Sequence, residues 1–187
     1  MDHYQDITVV PDPEFPSPML MNALFAKLHR ALVQYGHNKI GVSFPQVETD
    51  KPSLGNLLRL HGSPSSLQAL QSQIWLRGMR DHTELSGIDP VPAMVQYRRV
   101  RRVQVKSNVE RIRRRYCKRH GVTEQEAIIL IPDSVEKRAK LPYLQLNSQS
   151  TGQSFRLFVE HLPTQAHAEA GQFTSYGLST TATIPWF

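Results

Sequence analysis

Residues 4–10 alternate, with Tyr4, Asp6 and Thr8 set against Gln5, Ile7 and Val9, and the run stops at Pro11. A period of two bounded by proline predicts a strand. Four prolines (Pro11, Pro13, Pro16 and Pro18) make a rigid connection. Ser17 is placed to cap a helix that has Pro18 at its first position. Leu20, Leu24, Leu28, Ala31 and Leu32 then recur at helical spacing, and the helix is expected to stop near Tyr35 and Gly36. A short strand follows over 40–44, broken by Pro45, and the polar stretch 46–56 reads as a loop. The pattern predicts a strand at 57–61, a helix at 63–73 starting at Pro64, and a fourth strand within 75–85.

The resulting β-α-β-β-α-β order over 1–85 is the ferredoxin-like pattern. Punctuation at 87–92 suggests a boundary, giving a ferredoxin-like domain over 1–92 and a second domain over 93–187. The second half opens on an extended basic segment at 97–106, continues through two short helices, and ends in several strands from Tyr143 onward. The fold class expected is α+β.

Composition narrows the class. With 187 residues and 40% hydrophobic content, the chain can bury a core without disulfides or a structural metal. Cys117 is the only cysteine, which excludes an internal disulfide and any zinc site built from several thiolates. No apolar run reaches the roughly 20 residues of a membrane span. The opening MDHYQDITVV has acids where a secretory signal has a basic region, so a cytoplasmic protein is expected.

Charge changes the picture most. The net charge is +6, yet residues 98–120 hold eleven of the 22 Lys and Arg against one acid, Glu110, so this window carries +10 and the remainder −4. A mildly acidic body with one concentrated cationic element suits a phosphate backbone as partner. Ser107 and Glu110 form a capping-box signature, and Gly121 supplies a stop, for an arginine-rich helix over about 108–120. Val109, Ile112 and Tyr116 form an apolar stripe. Arg111, Arg114, Arg115, Lys118 and Arg119 spread across the other face at three- and four-residue spacing. A solvated helix face is the plainer account, but such faces usually mix signs, and here the one acid sits at the cap. Upstream, Arg102 and Gln104 alternate with Val103 and Val105, a spacing that points two base-reading side chains the same way.

Catalytic signals are weaker. A metal nuclease needs clustered carboxylates, and the acids here are scattered. RNA can instead be cut through its own 2′-hydroxyl, which needs a base, positioning groups and relief of developing charge. Histidine suits the base role, but composition does not choose among eight. His29 is the most suggestive, at the border of the Leu24 and Leu28 stripe. Ser148, Ser150 and Tyr176 fall in expected turns and are individually unremarkable.

Several runs together carry a resemblance: MDHYQDI with PDPEFP, LHRAL, GVSFP, VQVKSNVERIRRR, SQSTGQSFRLF, FTSYGLS and the terminal PWF. Over its full length the chain resembles the CRISPR repeat-processing endoribonuclease family of type I-F systems, the Csy subtype. The resemblance implies a ferredoxin-like domain and a C-terminal domain presenting the arginine-rich helix to an RNA hairpin. It also implies metal-free, cofactor-free cleavage at the 3′ base of the repeat stem-loop. The product carries a 2′,3′-cyclic phosphate, and the enzyme stays on the hairpin among the other subunits of a surveillance complex.

By the same resemblance His29 is the general base, Ser148 positions the attacking ribose, Tyr176 orients His29, and Ser150 holds RNA near the scissile phosphate. Arg102 and Gln104 read the base of the stem, and Phe155 stacks beneath its terminal pair. Arg114, Arg115, Lys118 and Arg119 clamp phosphates, with His120 at the helix end. Lys118 stands where a further arginine is expected, keeping the charge without the planar fork. The alternative is a non-catalytic RNA-hairpin-binding subunit of a ribonucleoprotein complex. A DNA-binding regulator fits least, for want of a helix-turn-helix pattern.

Overall fold

A computed structural model of the chain describes residues 1–36, 38–48, 52–104, 109–132, 140–148 and 151–187. It is a mixed α+β structure of two compact units, Met1–Val103 with Leu141–Phe187, and Gln104–Lys140.

The larger unit starts with strand β1, His3–Val9. Gln5, Ile7 and Val9 turn inward, as the alternation predicts. The buried Gln5 amide donates to the Ser86 carbonyl at 3.1 Å, so the polar group is not left unpaired. Helix α1, Ser17–Ala31, buries Leu20, Met21, Leu24, Phe25, Leu28 and Ala31. It starts one residue earlier than the sequence suggests. Pro16 occupies the cap position, its carbonyl accepting from the N–H groups of Met19 and Leu20, and Ser17 makes no side-chain cap. One π-helical turn, Leu32–Gly36, continues the helix toward the stop expected at Gly36.

Strands β2 (Gly41–Ser43) and β3 (Leu57–Gly62) precede helix α2 (Pro64–Gln71), whose cap Ser63 accepts from the Ser66 N–H. Of the stretch 75–85, only Thr83–Leu85 forms strand β4, after a short 3-10 turn at Arg80–His82. The sheet order is β2-β3-β1-β4, every pairing antiparallel. Asp89–Pro90, inside the stretch expected only to break the chain, forms β5 and pairs with His3 and Tyr4 of β1. On the outer face, Arg59 lies opposite Asp6 and donates to both its carboxylate oxygens at 2.7 and 2.8 Å. The same guanidinium donates to the Phe187 carbonyl at 3.0 Å and lies 4.1 Å from that ring's centre, which fastens the C-terminal residue.

The remaining strands of this unit are β6 (Gln96–Arg98), β7 (Val100–Val103), β8 (Tyr143–Asn147), β9 (Ser154–His161) and β10 (Ile184–Trp186). β7, β9 and β8 form an antiparallel sheet in that order, and β6 pairs with β10. β8 alternates strictly, burying Leu144 and Leu146, which join Leu24, Phe25 and Leu28 of α1 in one continuous core. The Asn22 side chain accepts the Gln145 N–H at 2.9 Å and ties α1 to β8 directly. That bond sets two elements beside one another that a site can use.

The smaller unit holds helices α3 (Val109–His120) and α4 (Glu124–Leu130). Gly121, at φ +68°, ends α3, its N–H reaching the Cys117 carbonyl at 2.8 Å. Ser107, the cap expected for α3, lies outside the described residues. A complete capping box stands instead at α4. The Thr123 hydroxyl accepts the Glu126 N–H, and the Glu126 carboxylate accepts the Thr123 N–H at 2.8 Å. Its signature, Thr-x-x-Glu, was legible in the sequence. Among the described residues no helix is long and apolar enough to cross a membrane.

Candidate active site

His29 lies in the last turn of α1, between buried Leu28 and exposed Arg30, and is itself half-buried. Its Nδ1 is 2.9 Å from the carbonyl oxygen of Ser175. A carbonyl only accepts, so Nδ1 carries the proton, and the neutral ring keeps its lone pair on Nε2. The imidazole also stacks on Tyr176, ring centres 4.0 Å apart and planes 8° from parallel. The Phe25 ring also lies parallel to that of Tyr176, centres 6.4 Å apart. Two contacts therefore restrain the ring in position and in tautomer.

The segment that supplies both contacts is pinned by backbone bonds. The Gly177 N–H reaches the Thr174 carbonyl, the Thr174 N–H reaches Leu178, and the Gly177 carbonyl accepts from Val42 of β2, each at 2.8–2.9 Å. Gly177 has φ +68°, and a Cβ there would lie 2.3 Å from the Val42 side chain. Only glycine fits so close an approach in the left-handed region. The turn in FTSYGLS thus aims Tyr176 because residue 177 has no side chain.

Across from α1, Ser148 follows the end of β8 and opens a turn. Its N–H donates to the Gln153 carbonyl, its own carbonyl accepts from Gly152, and its hydroxyl accepts the Thr151 N–H. A cleft of about 710 Å³ is lined by Ala26, His29 and Arg30 of α1, by Asn147 of β8, by Ser148, by Phe155 of β9, and by Tyr176 stacked on His29. The structure therefore brings His29, Ser148, Tyr176 and Phe155 together. Ser150 falls outside the described residues.

Arg102 of β7 joins this group. Its guanidinium carbon lies 5.3 Å from the Tyr176 ring centre and 5.7 Å from that of Phe155, within cation–π range. Its Nε is buried and has no hydrogen-bond partner among the described residues. β7 ends at Val103, so Gln104 is exposed just past the strand rather than alternating within it, and residues 105–108 lie outside the described residues.

On α3 the side chains of Arg114, Arg115, Lys118, Arg119 and His120 are exposed, while Val109 is buried and Ile112 and Tyr116 are half-buried. The His120 ring lies 4.3 Å from that of Tyr116. The side chain of Arg111 is outside the described set. Arg113, which the sequence did not single out, donates from Nε and Nη2 to the Ile131 carbonyl at 2.9 and 2.7 Å and braces α3 against the end of α4. No sequence signal separates it from its arginine neighbours. Ser175 was equally invisible, because it acts through its backbone carbonyl.

Two other histidines are of a different kind. His61, buried on β3 with Nε2 at 2.8 Å from the Ser43 hydroxyl, is held down to about 3 by burial and then by Arg59. His161 is likewise lowered to about 3 by burial and then by Arg98. Both are neutral structural histidines. Among the described residues no three His, Cys, Asp or Glu side chains are grouped so as to hold a metal.

These features define an α+β protein with a histidine-centred cleft in its larger unit and a cationic helix in its smaller one. The chain belongs to the Cas_Csy4 family of CRISPR-associated proteins, whose family model matches residues 4–187. Two relatives, each named CRISPR-associated endonuclease Cas6/Csy4, align over 187 residues that cover all of both chains. One, from Pseudomonas aeruginosa (strain UCBPP-PA14), is 52% identical, and the other, from Escherichia coli (strain UTI89 / UPEC), is 50% identical.

Proposed function

We propose that this protein is an endoribonuclease that cleaves CRISPR precursor RNA at the 3′ base of the repeat stem-loop without a metal and stays bound to the product hairpin. His29 is the general base: its Nε2 takes the proton of the 2′-hydroxyl at the cut. The 2′-oxygen then bonds to the adjacent phosphorus, the bond to the 5′-oxygen breaks, and that oxygen is protonated from solvent. The upstream product keeps a 2′,3′-cyclic phosphate. The observation that carries the reading is the Nδ1–H bond from His29 to Ser175, which in the neutral ring puts the lone pair on Nε2, at a cleft bordered by Ser148. The names of the two relatives support a nuclease in CRISPR defence.

Ser148 holds the attacking ribose and Tyr176 orients the imidazole. Phe155 stacks beneath the terminal base pair, a use suited to an aromatic face. Arg102 and Gln104 read the base of the stem. Arg111, Arg114, Arg115, Lys118, Arg119 and His120 hold phosphates, and Ser150 contacts RNA near the cut. The sheet order β2-β3-β1-β4, with helices between the strands, supports a ferredoxin-like N-terminal domain. Domains at 1–92 and 93–187 are proposed from the described strand pairings, each of which falls on one side of residue 92, although α1 and β8 share one core. The protein works in the cytoplasm among the other subunits of a type I-F surveillance complex.

The decisive experiment compares wild type and His29→Ala on a repeat hairpin from a type I-F array, with chelator present. Wild type should cut and leave a cyclic phosphate, and a 2′-deoxyribose at the cut should block cleavage while sparing binding. His29→Ala should bind within a few-fold of wild type and not cut. Near-normal cleavage by that variant would remove His29 as base, and loss of wild-type activity with chelator would remove the metal-free route.

A further inference from the structure

A second groove of about 480 Å³ opens beside the cleft, and Arg30 and Gln34 line both. Its other walls include Lys27, Ile74, Trp75 and Arg77. The Lys27 ammonium donates to the Arg77 carbonyl at 2.7 Å, which holds its charge beside the Arg77 backbone. Three cations therefore line the groove, and among its described lining residues there is no carboxylate. Trp75 is half-buried and packs on the core, so its ring is fixed in place, while neighbouring Ile74 is 75% exposed. Cations beside a rigid aromatic surface are the elements that hold single-stranded nucleic acid, through phosphate contacts and base stacking. Nothing in the cleavage chemistry uses them.

We infer that this groove is a subsite for the single-stranded RNA immediately 3′ of the cut. The inference rests on the reading of the cleft given above, and the direction follows from it. With the last base pair of the stem on Phe155, the stem approaches from the wall of β8 and β9. The strand passes His29 at the scissile phosphate, and what lies beyond on the α1 side is Arg30 and Gln34, then the groove. Nucleotides past the stem have no pairing partner, which leaves their bases free to stack.

The test is equilibrium binding by the full-length protein of a repeat hairpin blocked at the cut by 2′-deoxyribose, carrying either one or eight nucleotides 3′ of the cut. The longer flank should tighten wild-type binding by at least about fivefold. That gain should vanish in Arg77→Glu and in Trp75→Ala. Both variants should still cleave the uncut one-nucleotide substrate at the wild-type rate, which a general folding defect would not allow. Arg77 is exposed, so its charge reversal stands if the Trp75 variant fails to fold. Equal wild-type affinity for the two flanks overturns the subsite but leaves the cleavage reading intact. So does a gain that follows nucleotides added 5′ of the stem, or a gain that persists in both variants. A hairpin that is neither bound nor cut overturns both.

Discussion

The imidazole of His29 and the ring of Tyr176 lie face to face, centres 4.0 Å apart and planes 8° from parallel, although 147 positions separate them in the chain. The contact is made by ring faces. Tyr176→Phe should therefore cleave at close to the wild-type rate, whereas Tyr176→Leu should lose about tenfold or more, because a misplaced base loses reactivity steeply. Single-turnover cleavage at saturating protein separates the two. A Phe variant as impaired as the Leu variant would assign the role to the hydroxyl.

Gly177→Ala strains the same feature from the backbone. A left-handed φ of +68° and a Cβ 2.3 Å from Val42 force the turn to move. The expected cost is about 1–3 kcal/mol of stability, with a fall in cleavage as Tyr176 shifts. Urea denaturation and single-turnover rates should register both, and a variant with wild-type stability would contradict the close packing against β2.

His61 and His161 make stability depend on pH. Both are held near 3 when folded but titrate near 6.5 when unfolded, so between those values the unfolded chain binds more protons. Their stabilisation is complete above about pH 6.5 and declines as pH falls toward 3. Between those values each histidine contributes a slope of about 1.4 kcal/mol per pH unit. Denaturation at pH 7 and pH 5 should show the loss, reduced in His61→Gln. An unchanged slope in that variant would count against a buried neutral imidazole.

Lys118 is exposed on α3, and in the proposed reading it holds phosphate through its charge. Lys118→Ala should weaken binding to any RNA stem and lower the dependence of log affinity on log salt by about one unit. Arg102→Ala should instead cost about 1–3 kcal/mol on the cognate stem and relax preference at one base pair. Affinities over a salt series, for cognate and mutated stems, distinguish these outcomes. A sequence-selective defect in the lysine variant would reverse the assignments.

Much of the architecture was readable along the chain. The β1 alternation, the α1 stripe, the helix start at Pro64 and the separation of charge into one window all depend on consecutive residues, and local periodicity is a property of the sequence. The miss at Ser17 and the unexpected β5 arose where a nearby carbonyl or a distant strand completed the pairing. Sequence by itself determined the α+β class, the cationic helix and, through family resemblance, which side chains are candidates for the site. What tertiary structure alone decided is the state of those residues. Ser175 sets the His29 tautomer through a backbone oxygen, Arg102 lies within cation–π range of two rings from other segments, and His61 and His161 are neutral because the fold removes them from water. Each of these depends on groups far apart in the chain. Composition cannot distinguish one of eight histidines from another, but a carbonyl 2.9 Å away can.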